Sequence, residues 1–374
     1  MRPRCTATAP VKTAIENVHV FDGNGFTAPQ TIILSDGKIT NCAGQIDTVV
    51  DGAGRFLIPG LTDAHIHVTD TDSLEKLASW GVTTALNMDC EDYNLCAQLR
   101  NQTGMASFLS TGRPATGVNA TPNPVKGAAE EPLVYPDTNM SQLVSWAFGN
   151  GSDWFKTVAQ TNGPTTQQHM DAVAAAHGMF DRLAVTHASD VKSYKQAIDS
   201  FTDIIQHIPD DGLISAPMIA AMRAHWQAVT PTMAIFKLGH TDPRIAAFLG
   251  RDLNGTSYDN VENNVRALHA RGVPVLAGTD AVGDLVPGIE FPHGPTLHEE
   301  LELLHKAGLS PLEALRAATV NVARWHRLSD RGTIEVGKRA DVVLLNSNPL
   351  VNISNTRDIA QVWVGGISIQ HLKQ

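Results

Sequence analysis

The sequence predicts an α/β protein: a (β/α)8 TIM barrel with a small β-sandwich domain built from both termini. Three observations predict it. Strand-like runs lie at both ends of the chain, strand and helix patterns alternate through the middle, and His, Lys and Asp fall at the ends of the middle strands. At roughly 150 residues per domain, 374 residues leave room for one large barrel and an accessory unit.

The N-terminal elements are short. Thr13–Phe21 and Thr31–Leu34 read as strands, and Asp36-Gly37 before Lys38-Ile-Thr40 is a hairpin signal. The C-terminus answers with Ala340–Leu345 and Ile359–Val364, then Gly365-Gly366 as a turn into Ile367–Ile369. Residues 1–61 and 331–374 are therefore assigned to one composite β-sandwich domain. Residues 62–330 are assigned to the (β/α)8 barrel, close to the roughly 250 residues such barrels use.

Eight apolar runs fill that middle: Leu61–Val68, Val82–Met88, Met105–Thr111, Trp154–Val158, Leu183–His187, Asp203–His207, Ala228–Thr232 and Val273–Thr279. Helix-like stretches such as Leu213–Ala228 and Ser257–Arg271 separate them, which argues for parallel strands with crossover helices. The segment 113–137 is rich in Gly, Pro, Asn and Thr and too long for an ordinary connection, so an active-site loop or lid is expected there.

Composition narrows the function. Lys+Arg 28 against Asp+Glu 38 gives a formal charge of −10 with no basic run, which argues against nucleic acid and anionic membranes as partners. No stretch approaches the roughly 20 apolar residues of a membrane span, and Met1–Lys12 has no apolar signal region. Cys5, Cys42, Cys90 and Cys96 lack metal or redox spacing and read as free thiols of a cytoplasmic protein. A small-molecule substrate is expected, and the oligomeric state is unreadable.

The sharpest local signal is Asp63-Ala-His65-Ile-His67. Residues i and i+2 of a strand share a face, so both imidazoles can reach one ion while Ile66 packs outward. Lys156, His187, His207 and Asp280 fall at or near the ends of four later strands, on the rim where barrel active sites sit.

With these residues the sequence resembles the metal-dependent amidohydrolase superfamily, in its imidazolonepropionase-like and prolidase-like branch. The resemblance spans essentially the whole chain. It is carried by Phe56-Leu-Ile-Pro-Gly-Leu-Thr-Asp-Ala-His-Ile-His67, by His298-Glu-Glu-Leu301, by Ser310–Thr319 and by Gly332–Val342. It implies that His65, His67 and Asp280 hold the more buried of two divalent ions and His187 and His207 the second. Lys156, carboxylated by carbon dioxide to a carbamate, would bridge both. Zinc suits that donor set, with manganese, iron, cobalt and nickel left open. The implied reaction is hydrolysis of an amide, peptide-like or lactam bond by hydroxide generated at the ions, with Asp280 as catalytic proton shuttle. Decarboxylation, ester or lactone hydrolysis, and a non-catalytic role remain alternatives. No Gly-x-Ser-x-Gly or Cys/His signature asks for an acyl-enzyme.

Other rim residues are weaker candidates. His240 and His293 follow barrel strands and could touch substrate, while Arg113 and Lys126 in the long loop could meet a carboxylate. Tyr135 and Tyr258 could donate to an oxyanion. Asp63 is expected to orient a loop or ligand. The remaining histidines, His326 among them, read as surface or packing residues, and Gly337-Lys-Arg-Ala-Asp-Val342 as a structural turn.

Overall fold

The computed structural model describes residues 12–42, 44–118, 120, 133–248, 252–283 and 288–369. Lys126, Cys5, His371 and most of the long 113–137 loop lie outside the described residues.

Seven strands drawn from the two ends form a single mixed sheet. In chain order β1 is Thr13–Val20, β2 Gln30–Ser35, β3 Lys38–Thr40 and β4 Thr48–Pro59. The middle contributes β5 (Leu61–Ile66), β6 (Val82–Asn87), β7 (Ser107–Ser110), β8 (Thr116–Gly117), β9 (Leu133–Val134), β10 (Phe155–Val158), β11 (Ala184–His187), β12 (Ile204–Gln206) and β13 (Ala228–Thr230). The chain closes with β14 (Val342–Leu345), β15 (Ile359–Val364) and β16 (Ile367–Ile369).

The terminal sheet runs β16-β15-β14-β4-β1-β2-β3. Its seam is the antiparallel pairing of β4 with β14, Pro59 opposite Val342. Gly60 then donates to the Asp341 carbonyl at 2.8 Å, one residue before β5 begins. Asp36 and Gly37 both take positive φ, as do Gly365 and Gly366, which is the backbone that tight hairpins need. Ile15, Val18, Leu34, Leu57, Val342, Leu344 and Trp363 are buried on this sheet. Gly337-Lys-Arg-Ala-Asp-Val342 is spent on structure there: Arg339 pairs with Asp341 at 2.8 Å, and the amides of Gly337 and Ala340 bond to Ile39 and Gly37.

The middle strands are parallel, in a sheet β5-β6-β7 and a sheet β10-β11-β12-β13. Seven of the eight expected strands are present. The eighth, Val273–Thr279, is not a regular strand, because Pro274 has no N–H to give to a ladder. It is held instead by bridges of Val275 to Val229 and Ala281 to Ile66 and by the bond from the Ala64 amide to Ala277. Across the other gap, the Asp153 amide bonds to Ser110 at 2.7 Å.

Helices cover these strands and end where local chemistry requires. Ser257 caps the helix Tyr258–Ala270 by accepting from the Asp259 amide. The expected 213–228 helix is shorter, Ala216–Ala224, because Ser215 caps one end and Trp226 turns to positive φ after the other. No helix among the described residues is long and apolar enough to cross a membrane.

The cysteine reading needs correction. Cys90 and Cys96 are joined as a disulfide, with Cα atoms 6.3 Å apart. Asp92 caps the helix Tyr93–Leu99, and that first turn carries Cys96 back over Cys90, a proximity that linear spacing does not display. The pairing withdraws the thiol argument for a reducing compartment. Cys42 is free and exposed.

Candidate metal centre

The strand ends converge on Asp280. Its Oδ1 lies 2.8 Å from His67 Nε2 and 3.3 Å from His65 Nε2, and its Oδ2 lies 3.8 Å from His207 Nδ1. His65, His207 and Asp280 can each bring one ligand atom within 4.8 Å of the others. The His187 ring centroid is 4.4 Å from that of His207. Lys156 is buried and lies within electrostatic reach of His65, His207 and Asp280. The six residues expected to ligate metal are therefore neighbours, and among the described residues His65, His207 and Asp280 are the three whose ligand atoms gather this closely.

Each side chain is aimed by its backbone. His65 sits on β5 and His67 just beyond it, on the same face. Gly278 lets the last segment press against β5: a Cβ there would stand 2.7 Å from the His65 amide nitrogen. His207 and Asp280, and Thr232 beyond β13, all take positive φ, 74°, 59° and 51°. Such conformations cost non-glycine residues of order 1–3 kcal/mol and cluster where a site imposes them.

Neighbours fix the rings. His65 Nδ1 lies 2.8 Å from Gln206 Oε1, and His207 Nδ1 lies 2.8 Å from Thr232 Oγ1. Asp63, fully buried, accepts from the amides of His65 and Thr279 and from the Thr279 hydroxyl. It orients the ligand strand, as the sequence suggests.

The electrostatics follow burial. Burial drives His65 down to about 4 and His207 well below its usual value, so both imidazoles are neutral near pH 7. Burial also raises Asp63 to about 7 and lowers Lys156 to about 8, although Asp89 and Asp280 oppose the latter shift. Burial works against ionisation of Asp280, yet the surrounding His65, His67 and His207 hold its carboxyl well below the usual range.

These residues fit metal. His65 Nε2 is buried without a well-formed hydrogen bond, and neutral imidazoles beside a carboxylate are a donor set for divalent ions. Bonds from the opposite ring nitrogens of two of the histidines are the usual support of such ligands.

The weaker candidates are engaged elsewhere. His293 Nε2 donates to the His67 carbonyl at 3.0 Å, bracing a ligand from behind. His240 Nε2 pairs with Asp210 at 2.9 Å, and Arg113 Nε donates to the Glu91 carbonyl. Tyr135 is exposed, and the Tyr258 hydroxyl is buried without a hydrogen-bond partner among the described residues.

Sequence reasoning missed Asp89, Gln206, Thr232 and Glu300. Asp89 lies two residues past β6, and the strand-end criterion that finds Lys156 would have found it. Its Oδ1 is buried without a hydrogen bond among the described residues, burial raises its carboxyl to about 6, and it faces His67 and Lys156 electrostatically.

Comparison with known proteins agrees with the geometry. Residues 56–368 match the model of the amidohydrolase family. An adenine deaminase of Gluconobacter oxydans is 25% identical over 92% of this chain, which spans 57% of that protein. An imidazolonepropionase of Mycolicibacterium smegmatis is 22% identical over 88% of this chain and 87% of its own. A Xaa-Pro dipeptidase crystallised with methionine in its active site superposes with a TM-score of 0.79 at 19% identity, covering 96% of this chain and 99% of that one. With a family match over most of its length, this chain belongs to the amidohydrolase family.

Proposed function

We propose that this protein is a hydrolase of an amide, peptide-like or lactam C–N bond in a small molecule. The reaction takes place at a two-ion centre held by His65, His67, Lys156, His187, His207 and Asp280, at the mouth of a (β/α)8 barrel spanning residues 62–330. Beside it lies the composite β domain assigned to residues 1–61 and 331–374, a single seven-stranded sheet among the described residues.

The observation that carries this reading is the Asp280 carboxylate, which touches His65 and His67 with one oxygen and faces His207 with the other. Bound divalent ions, zinc first among them, would supply Lewis acidity and lower the pKa of water from 15.7 to about 7. Asp280 takes the proton that the attacking water gives up and delivers it to the leaving nitrogen, so the products are a carboxylic acid and an amine. His293 and Asp63 keep the ligand strand in register throughout. Burial of Lys156 favours its neutral amine, which could add to carbon dioxide with loss of one proton, and the resulting carbamate would give the site an anionic donor. Asp89 offers a buried acceptor to a donor group of the substrate.

The test is metal analysis of the purified protein, then a screen of N-acyl amino acids, dipeptides and lactams. Release of amine and carboxylate that stops on chelation supports the reading. Turnover by metal-free protein overturns it, and evolution of carbon dioxide points to decarboxylation.

A further inference from the structure

The motif His298-Glu-Glu-Leu301 lies on the helix Pro295–Lys306, and its residues face different neighbours. His298 is structural: its ring nitrogens meet Thr356 Oγ1 at 2.9 Å and the Trp80 carbonyl at 3.0 Å. Glu299 pairs with Lys237. Glu300 is fully buried and has no cationic partner among the described residues. Its two oxygens accept from the amides of Met233, at 3.0 Å, and Ala234, at 2.8 Å.

Those two amides open the helix Met233–Thr241, whose N-cap position is Thr232. A threonine there ordinarily accepts a hydrogen bond from the second or third helical amide. Thr232 does not cap its own helix. Its hydroxyl is turned to His207 Nδ1, and its backbone takes φ 51°, a conformation that β-branched residues avoid. The helix cap comes instead from Glu300, 68 positions further along the chain.

We propose that Glu300 is a positioning residue for His207, acting through Thr232. By capping the helix Met233–Thr241 in place of the Thr232 side chain, it frees that hydroxyl to hold the imidazole and clamps the strained turn that aims it. Glu300 touches neither substrate nor ion. The inference extends the metal reading of His207, but its geometry does not depend on an ion being bound.

The first measurement is accordingly made on metal-free protein. Imidazole 15N spectra of wild type should show His207 in one slowly exchanging tautomer. Glu300→Ala and Thr232→Val should both give a tautomer mixture, and Glu300→Gln, which keeps one acceptor, should lie between. The second measurement is zinc affinity by competition with a chromophoric chelator. Supports of this kind are typically worth 10–100-fold in affinity. Each single substitution should cause a loss in that range, and the double substitution no more than the larger single effect.

An unchanged His207 spectrum in Glu300→Ala, or losses of affinity that multiply in the double variant, would overturn the proposal. A merely structural Glu300 would lower the melting temperature and leave both readouts in place. Should Glu300→Ala fail to fold, Glu300→Gln with Thr232→Val completes the same cycle, and independent effects again refute it. Wild type that binds no zinc would defeat the metal reading, and the imidazole spectra would still decide the role of Glu300.

Discussion

Asp63 Oδ2 accepts the Thr279 hydroxyl at 2.7 Å, so one buried bond ties the strand of His65 and His67 to the segment that ends in Asp280. The other oxygen of Asp63 takes the amides of His65 and Thr279, at 3.1 and 3.0 Å. Three donors thus converge on one buried carboxyl, and the spacing between the two imidazoles and their carboxylate is set from beneath.

Asp63→Ala should break that arrangement, because the two amides and the hydroxyl then lose their common acceptor. A buried group left unpaired costs about 1–3 kcal/mol. Calorimetry should show a lowered melting temperature, and metal titration about a 10–100-fold loss of affinity. Thr279→Ser, which keeps the hydroxyl, should be close to wild type in both.

Lys156→Ala should bind less metal, and short-chain carboxylic acids should restore part of it by standing in for the carbamate. Metal stoichiometry by mass spectrometry, with and without added acetate or propionate, checks this. A lysine that serves only packing would leave metal content unchanged.

Asp280→Asn separates holding from proton transfer. The amide keeps the shape and one oxygen, so the imidazoles should still hold metal and substrate affinity should change little. General acid–base catalysis is typically worth about 10²–10⁴ in rate, and turnover should fall at least that far. Near-normal turnover would mean that another group moves the proton.

His326 makes a prediction remote from the site. It is buried edge-on against Trp154 with neither ring nitrogen hydrogen-bonded among the described residues, and burial pushes it down to about 3. The folded ring therefore stays neutral while the unfolded one takes a proton as pH falls below about 6.5. Stability from this residue is complete above that value and is lost between about 6.5 and 3. Denaturant melts of His326→Phe should match or exceed wild type at pH 7 and gain on it by of order 1–2 kcal/mol at pH 5. An equal acid sensitivity of the two proteins would contradict this.

What could be read from the chain itself was whatever depends on short-range periodicity. The alternation His65-Ile-His67 is a property of one strand, and Asp36-Gly37 and Gly365-Gly366 are properties of single turns. Asp280 was legible because it ends its own apolar run, even though Pro274 keeps that run from being a regular strand. The supporting groups were not legible, since Gln206 meets His65 only through inter-strand register, and Glu300 meets the amides of Met233 and Ala234 only once two helices pack. Cys90 and Cys96 escaped for a related reason: their pairing depends on a helix turn between them. His240 lies in the last turn of the helix Met233–Thr241 and His293 just before the helix Pro295–Lys306, and their positions in the sequence say nothing of the carboxylate and carbonyl that engage them.

The seam between β4 and β14 carries a consequence for biosynthesis. Gly60, the residue leading into the strand of His65 and His67, bonds to a carbonyl that the ribosome adds about 280 residues later. At roughly 5–20 residues per second, β4 waits on the order of 14–56 s for its partner. Through that interval it offers an open edge to any passing strand. Newly made chains should therefore be most prone to misassociate before residues 342–345 emerge, and refolding of the whole chain should be limited by this one long-range closure.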